Sequence, residues 1–423
     1  MRKLFVQTLF MALLVSPPLL YAQNEESGRL SLEDCIAKGL QNNPMIQSSQ
    51  LFVEENQTKV DEARSGYYPK VSLNSNATTY SNNNGDQRFE NYNTGISASY
   101  NLFNGFRTKA GYHAARDHHE AAFLQHESVQ QDLVLNITFA YYKTLQAERI
   151  LKSAEEAVKN SQLHLDFAHA RNMAGMATRS DILKSEVELS NAELEKIKAA
   201  NALLAAKGNL NKLMGLPANH PTEIIDDLSE LNETPVQSYD SLFAEAMESR
   251  VEVKRFYSLL NAQQNNIQLA RGEYYPSLDV NANYNFSGEK ISGMRENWWL
   301  GMTLTIPVFN GFSTEARVKG EKTALKGIEK DLEALKDQIG TEVWNAFLAV
   351  KEFSERMTAT SKGLESAREN LSLSEGEYKE GTGSIIQLTD AQTTFVAAEQ
   401  NHIQAVADYK VSLAELRRKT GNL

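Results

Sequence analysis

A single cysteine, Cys35, stands in 423 residues, so the chain cannot be a disulfide scaffold. Nine prolines are present, and none falls between Gly105 and Arg171 or between Gly311 and Lys379. No apolar run approaches the roughly 20 residues that a transmembrane helix needs, which excludes a helical membrane protein. Positive charge is also short. The 43 basic residues face 54 acidic ones, and the formal charge of -11 argues against a nucleic-acid partner. A hydrophobic fraction of 41% is nonetheless too high for disorder driven by low hydrophobicity. There is no Gly-rich phosphate loop, nucleophile elbow or Cys-His ligand set, so neither catalysis nor a cofactor is expected.

What is present begins at the N-terminus. Arg2 and Lys3 form a basic region, Leu4 to Val15 an apolar one, and Ser16 to Ala22 a looser stretch holding Pro17 and Pro18. Residues 1–22 therefore read as a secretory signal peptide cleaved after Ala22. The mature chain then holds 41 basic against 54 acidic residues, a charge near -13. A lipoprotein anchor would need a cysteine at the cleavage site, but Cys35 lies 13 positions beyond it. The chain is expected not to be lipidated, and Cys35 to be a small buried side chain.

An internal repeat organises the remainder. Ala63-Arg64-Ser65-Gly66-Tyr67-Tyr68-Pro69 returns as Ala270-Arg271-Gly272-Glu273-Tyr274-Tyr275-Pro276, an offset of 207. Phe103-Asn104-Gly105-Phe106 returns as Phe309-Asn310-Gly311-Phe312, an offset of 206. That period is too long for a solenoid unit and marks one structural half duplicated. The first repeat spans 23–215, a linker or equatorial region 216–238, and the second repeat 239–423. Each half reads helix, two strands, long helix, tight turn, helix. In the first half the strands are expected near 70–80 and 92–103, the long helix near 105–172 and the last helix near 178–214. In the second they are expected near 277–287, 297–309, 311–380 and 384–420.

The strands alternate with period two. Leu278, Val280, Ala282, Tyr284 and Phe286 interleave with Asp279, Asn281, Asn283, Asn285 and Ser287. Such ten-residue segments suit a transmembrane β-strand, apolar towards lipid and polar towards a lumen, but a soluble sandwich strand shows the same alternation. Polar faces rich in Asn, Ser and Thr favour a water-filled lumen. Aromatics gather at strand ends (Tyr67, Tyr68, Tyr274, Tyr275, Trp298, Trp299), as at a membrane interface. Four strands cannot close a barrel, and open edges are not tolerated in lipid, so closure demands more than one chain.

The rest reads as helix. A proline-free stretch of some 65 residues would run about 100 Å at 1.5 Å per residue. Ile328, Leu332, Leu335, Ile339, Val343, Phe347 and Val350 step by four and three, the coiled-coil rhythm. Asn104 and Asn310 are placed to cap each long helix as it leaves its strand, beside Gly105 and Gly311, which ease the turn. Pro69 and Pro276 end the preceding helices. At the far tips Gly175 and Gly381 suit left-handed helix ends, and Thr178 with Asp181 and Ser384 with Gln387 have capping-box spacing. Histidines cluster at 113, 118, 119, 126, 164 and 169, but their gaps miss the i, i+4 spacing that a helical metal site needs.

These features resemble the TolC-type outer-membrane efflux protein family, also called outer membrane factors. The resemblance rests on the paired Tyr-Tyr-Pro and Phe-Asn-Gly motifs, the Gly-centred tips, and Leu30-Ser31-Leu32-Glu33-Asp34-Cys35-Ile36-Ala37 running on to Asn42-Asn43-Pro44. It implies a mixed α/β membrane protein, a homotrimer with one twelve-stranded outer-membrane β-barrel continued by a periplasmic barrel of coiled-coil helices. It further implies a location in the outer membrane of a Gram-negative bacterium, in contact with its lipid. The function implied is passive export in series with a periplasmic adaptor protein and an inner-membrane pump, proton-driven or ATP-driven. One-step protein secretion, and a soluble periplasmic coiled-coil structural or adaptor protein, are the alternatives. By the same resemblance, Asp390, Gln387, Asp181 and Tyr378 belong to the periplasmic aperture, with Tyr378 and Asp181 at positions of an inter-helix hydrogen bond. The turns at Gly175, Thr178, Gly381, Gly383 and Ser384 would meet the adaptor. Gln387 stands where similar channels carry a second carboxylate, and Gly383 where they carry an arginine. Asp390 either lines the constriction or lies on a solvated helix face.

Overall fold

The computed structural model describes residues 28–81, 88–228 and 238–423. The expected signal peptide, part of the loop between the first two strands and residues 229–237 of the linker lie outside the described residues. In the first half, α1 (Leu32–Asn42) and α2 (Pro44–Ser65) lead into β1 (Lys70–Ser81) and β2 (Arg88–Asn104). The long α3 (Arg107–Met173) and α4 (Arg179–Leu213) follow. The second half repeats the plan with α5 (Tyr239–Ser249), α6 (Val251–Arg271), β3 (Ser277–Gly288), β4 (Arg295–Thr305), α7 (Ser313–Glu380) and α8 (Ile385–Thr420). No helix among the described residues is long and apolar enough to cross a membrane.

Where one helix was expected to open each half, the structure has two. Pro44 at the first helical position and Asn43, at φ -70° and ψ 125°, break the first pair. Arg250 adopts φ -62° and ψ 127° and breaks the second without a proline. The backbone NH groups of Asn43 and Arg250 close the preceding helices on Gly39 and Ala246, both near 3 Å. The two halves thus share a joint that their sequences do not share.

The four strands form one antiparallel sheet in the order β1-β2-β3-β4, leaving β1 and β4 as open edges. Its register lines up Leu73, Ile96, Tyr284 and Trp298 across all four strands, and Val71, Ala98, Ala282 and Leu300 in another such row. Many of these side chains are bare: Leu73 is 73% exposed and Leu300 68%. The other face carries Ser72 and Ser97, whose hydroxyls meet at 2.7 Å. Strand β4 ends at Thr305, four residues short of the expected 309, and Ile306 to Asn310 run on without a ladder partner.

The strand-to-helix turns correct one expectation. Neither Asn104 nor Asn310 is the cap residue. Instead Gly105 and Phe106, and again Gly311 and Phe312, take consecutive left-handed conformations with φ between 63° and 68°. The helices start at Arg107 and Ser313, after the chain has swung round. Asn104 still serves the first turn, since its Oδ1 accepts from the Thr108 NH at 3.3 Å and its amide donates to Thr108 Oγ1 at 2.8 Å. The repeats differ in crowding here. A Cβ on Gly105 would lie 2.2 Å from the Gly272 carbonyl oxygen, whereas nothing stands within 4 Å of one on Gly311. Gly105→Ala should therefore cost several times the left-handed penalty of about 1 kcal/mol, because the clash with the Gly272 carbonyl adds to it. Thermal unfolding of the purified protein would check this, and a shift no larger than the left-handed penalty alone gives would sink it.

The core sits where the halves meet. Tyr141, Ile137 and Leu145 of α3 pack with Ile339, Val343 and Val350 of α7, Tyr409 of α8 and Leu210 of α4. Ile224 and Leu228 from the linker are buried in the same cluster, and the Tyr141 hydroxyl donates to the Ile225 carbonyl at 2.6 Å. Cys35 is fully buried there, and burial pushes its thiol up to about 12. An ion network ties the ends together. Arg418 of α8 reaches Asp132 at 2.8 Å and Glu252 at 2.6 Å, while Arg250 reaches Glu252 at 3.1 Å and Glu342 at 2.7 Å.

Candidate functional site

The long helices end far from the sheet in two tips, each closed by the same device. At the first, Gly175 has φ 73°, its NH donates to the Asn172 carbonyl at 2.9 Å, and the Met176 NH donates to the Arg171 carbonyl at 2.8 Å. At the second, Gly381 has φ 85°, and the same two bonds run from Gly381 to Tyr378 at 3.2 Å and from Thr382 to Glu377 at 3.0 Å. This is the Schellman termination, which places glycine at a left-handed position and uses up the last carbonyls of the helix. Both returning helices open with a complete capping box. Thr178 accepts from the Asp181 NH at 3.3 Å while Asp181 Oδ2 accepts from the Thr178 NH at 2.8 Å, and Ser384 with Gln387 repeats it at 3.3 and 2.9 Å. Hydrogen bonds from Thr178, its backbone NH first, hold the Asp181 carboxyl below its usual range.

The two tips meet through a residue that sequence reading passed over. Arg171, in the last turn of α3, donates from Nη1 to the Tyr378 carbonyl at 2.7 Å, and its guanidinium carbon lies 4.8 Å from the Tyr378 ring centroid. That carbonyl also receives the Gly381 NH, so a cation sits at the C-terminal, negative end of the α7 dipole. The only sequence signal for this was an arginine in a last turn, which is common. Tyr378 is nearly buried among Leu371, Ile385 and Leu388. Its hydroxyl has no hydrogen-bond partner among the described residues. Within the chain, then, no hydrogen bond joins Tyr378 to Asp181; the carboxylate of Asp181 is turned into its own helix start. Burial raises the Tyr378 phenol above its ordinary value, and Arg171 opposes that.

The other expected site residues divide by position. Gly383 stands where a Cβ would meet the Glu377 Cβ at 3.0 Å and the Tyr378 NH nitrogen at 3.1 Å, so the turn itself selects glycine over a larger residue. Asp390 is exposed one turn into α8 and lines a groove between α4 and α8 with Lys184, Glu188 and Thr389. Beneath that groove, Glu188 accepts hydrogen bonds from Ser161 at 3.2 Å, His164 at 3.3 Å and Thr389 at 2.8 Å, joining α3, α4 and α8. Burial works against the Glu188 carboxylate, but these bonds outweigh it and lower its pKa. His164 and His126 are buried with protein partners, the latter with Ser49 at 2.7 Å and Gln130 at 3.1 Å. Pro69 and Pro276 immediately precede β1 and β3, at the opposite end of the helices.

Two such halves, each a hairpin with a bare apolar face joined to helices of 67 and 68 residues, are also what comparison with known proteins finds. A family model described as outer membrane efflux protein matches residues 35–216 and 242–422, one match per repeat. The chain belongs to the outer membrane efflux protein family.

This efflux protein is thus an export channel of the outer membrane. It is 23% identical over 400 residues to protein CyaE of Bordetella pertussis, covering 93% of this chain and 84% of that one. To outer membrane protein TolC of Escherichia coli it is 24% identical over 405 residues, covering 90% and 80%. The structure of the CmeC outer membrane channel of Campylobacter jejuni superposes with a TM-score of 0.82 at 15% identity, covering 92% of this chain and 85% of that one. The likeness to that structure is one of fold.

Proposed function

We propose that three copies of the efflux protein close one twelve-stranded barrel and one helical tunnel, which receives substrate from a periplasmic adaptor and an inner-membrane pump. The observation that carries this reading is the open four-stranded sheet. Its apolar face is bare, and its edge strands would leave unpaired NH and carbonyl groups in lipid, where each costs several kcal/mol. Three sheets joined edge to edge remove every edge. A seam on α4 supports the same assembly. Leu183, Val187, Leu194, Ile197 and Leu204 are all exposed and step at heptad spacing, the pattern of a coiled coil awaiting a partner helix. The buried, helical Cys35 supports the reading without a lipid anchor, because the chain has no other thiol. Membrane fractionation followed by cross-linking tests the proposal. Heat-labile trimers in the outer membrane are expected, and a monomer extracted without detergent would support a soluble periplasmic protein instead.

The tips form the periplasmic mouth in this reading. Three exposed Asp390 carboxylates around one axis attract cations. Asp390→Ala should weaken multivalent-cation block of single-channel conductance, and unchanged block in planar bilayers would remove Asp390 from the aperture. The adaptor would dock on the turns. Gly175 is the cleaner probe of docking, because nothing lies within 4 Å of a Cβ there although its φ is 73°. Gly175→Asn, which tolerates the left-handed conformation, should preserve export, whereas Gly175→Arg should abolish it while trimers persist. Export at full rate in Gly175→Arg would place the adaptor elsewhere.

A further inference from the structure

Two cavities adjoin at the junction of sheet and helices. One, about 530 Å³, is lined by Arg271 at the end of α6 and by Lys319 and Lys322 in the first turns of α7, with Tyr274 and Glu315 in its wall. The other, about 170 Å³, is lined by Val308, Phe309 and Phe312 with Glu273 and Asn310 beside them, and shares Tyr274 and Glu315 with the first. The shared walls make one amphiphilic groove, cationic at the helix end and with three apolar side chains beside two carboxylates at the strand end. Val308 is 93% exposed and has the same parity as Leu300, Met302 and Leu304, so the apolar end continues the bare face of β4. The three cations are exposed and unneutralised. Arg317 and Lys330 of the same helix pair with Glu273 and Glu333, whereas Arg271, Lys319 and Lys322 have no ion-pair partner among the described residues.

We propose that this groove binds the headgroup of an anionic phospholipid of the inner leaflet, its phosphodiester on Arg271, Lys319 and Lys322 and its glycerol end and first acyl carbons against Tyr274, Val308 and Phe312. The reading rests on the strands spanning the outer membrane, which puts the junction at the periplasmic lipid-water boundary. Three reasons select the occupant. Basic clusters beside a bilayer concentrate phosphate headgroups, and an aromatic side chain with a polar tip suits that depth. The adjoining cavity, walled by the Glu273 and Glu315 carboxylates and by Val308, Phe309 and Phe312, would repel a free inorganic anion, while its apolar side continues the path an acyl chain would take. Three cations less the Glu315 carboxylate, with Glu273 neutralised by Arg317, leave a local charge of +2, which favours a net-negative lipid over a zwitterionic one.

Native mass spectrometry of the full-length protein released from detergent tests this with phosphatidylglycerol, phosphatidylethanolamine or inorganic phosphate added. Phosphatidylglycerol should be retained in preference to phosphatidylethanolamine. The double variant Lys319→Gln/Lys322→Gln should retain it about 25-fold less well, roughly five-fold for each cation removed. Lys326→Gln, on the same helix but outside the groove, should retain it as the unmodified protein does. Equal retention by the double variant, indifference between the two lipids, or displacement of phosphatidylglycerol by inorganic phosphate would each overturn the proposal. The measurement is independent of cell fractionation. A chain found outside the outer membrane would defeat the spanning reading, whereas a correctly located chain without lipid selectivity would defeat this proposal alone.

Discussion

Arg171→Ala is expected to unlock the proposed periplasmic mouth and raise resting conductance in planar bilayers severalfold or more. The guanidinium makes two contacts with the other tip, a 2.7 Å hydrogen bond to the Tyr378 carbonyl and a stacked position over its ring. A charged hydrogen bond contributes about 1.5–3 kcal/mol and a partly exposed cation-π contact about 0.5–1 kcal/mol. A bias of roughly 2–4 kcal/mol in each chain corresponds to a factor of about 30–900 between locked and unlocked tips. Arg171→Lys should fall between, since an ammonium keeps the charge but loses the planar stacking. Tyr378→Phe separates this lock from the inter-helix hydrogen bond that the family resemblance assigns to Tyr378. The phenol oxygen is buried without a partner, so its removal should leave conductance near the starting value. A wide-open channel in Tyr378→Phe with a closed one in Arg171→Ala would reverse the assignment.

Arg418→Ala should destabilise the folded chain by about 3 kcal/mol, because it removes one partner of a buried charge network and leaves the rest in place. The side chain of Arg418 is 5% exposed and spans Asp132 of α3 and Glu252 of α6 from the last turn of α8. Burial disfavours the Glu252 carboxylate, but hydrogen bonds from Arg250 and Arg418 overcome that and bring it down to about 2. A carboxyl depressed below its unfolded value of 4.5 stabilises the folded chain fully above that pH. The contribution is lost as pH falls from about 4.5 towards about 2. Arg418→Ala should therefore lower the melting temperature by roughly 3–4 °C at neutral pH and flatten this acid arm. Arg417→Ala, the exposed neighbour, should change the melting temperature little. An Arg418→Ala protein that melts with the unmodified one at neutral pH would make the network dispensable.

The contrast between these two sites shows what could be read from the sequence. Capping boxes, Schellman glycines and strand alternation depend on residues within five positions of one another, so Thr178 with Asp181, Gly381, and Leu278 to Phe286 were legible directly. Element bounds failed where a neighbour strand decides them. Ile306 to Asn310 carry a strand pattern but have no ladder in the single chain, and β4 stops at Thr305. The joint at Arg250 was also hidden, since it copies the backbone of Asn43 without its proline.

By itself, the sequence determined the duplicated plan, the period-two strands, the proline-free helices and the Gly-centred tips, because local backbone preference and side-chain periodicity act over a few residues. Only the tertiary structure decided that Arg171 grips a carbonyl 207 positions away, that Arg418 reaches Asp132 across 286, and that Arg271 faces Lys319 and Lys322 across one groove. Such contacts follow from where long helices lie against one another, and charged side chains carry no periodic mark of the partners they will meet.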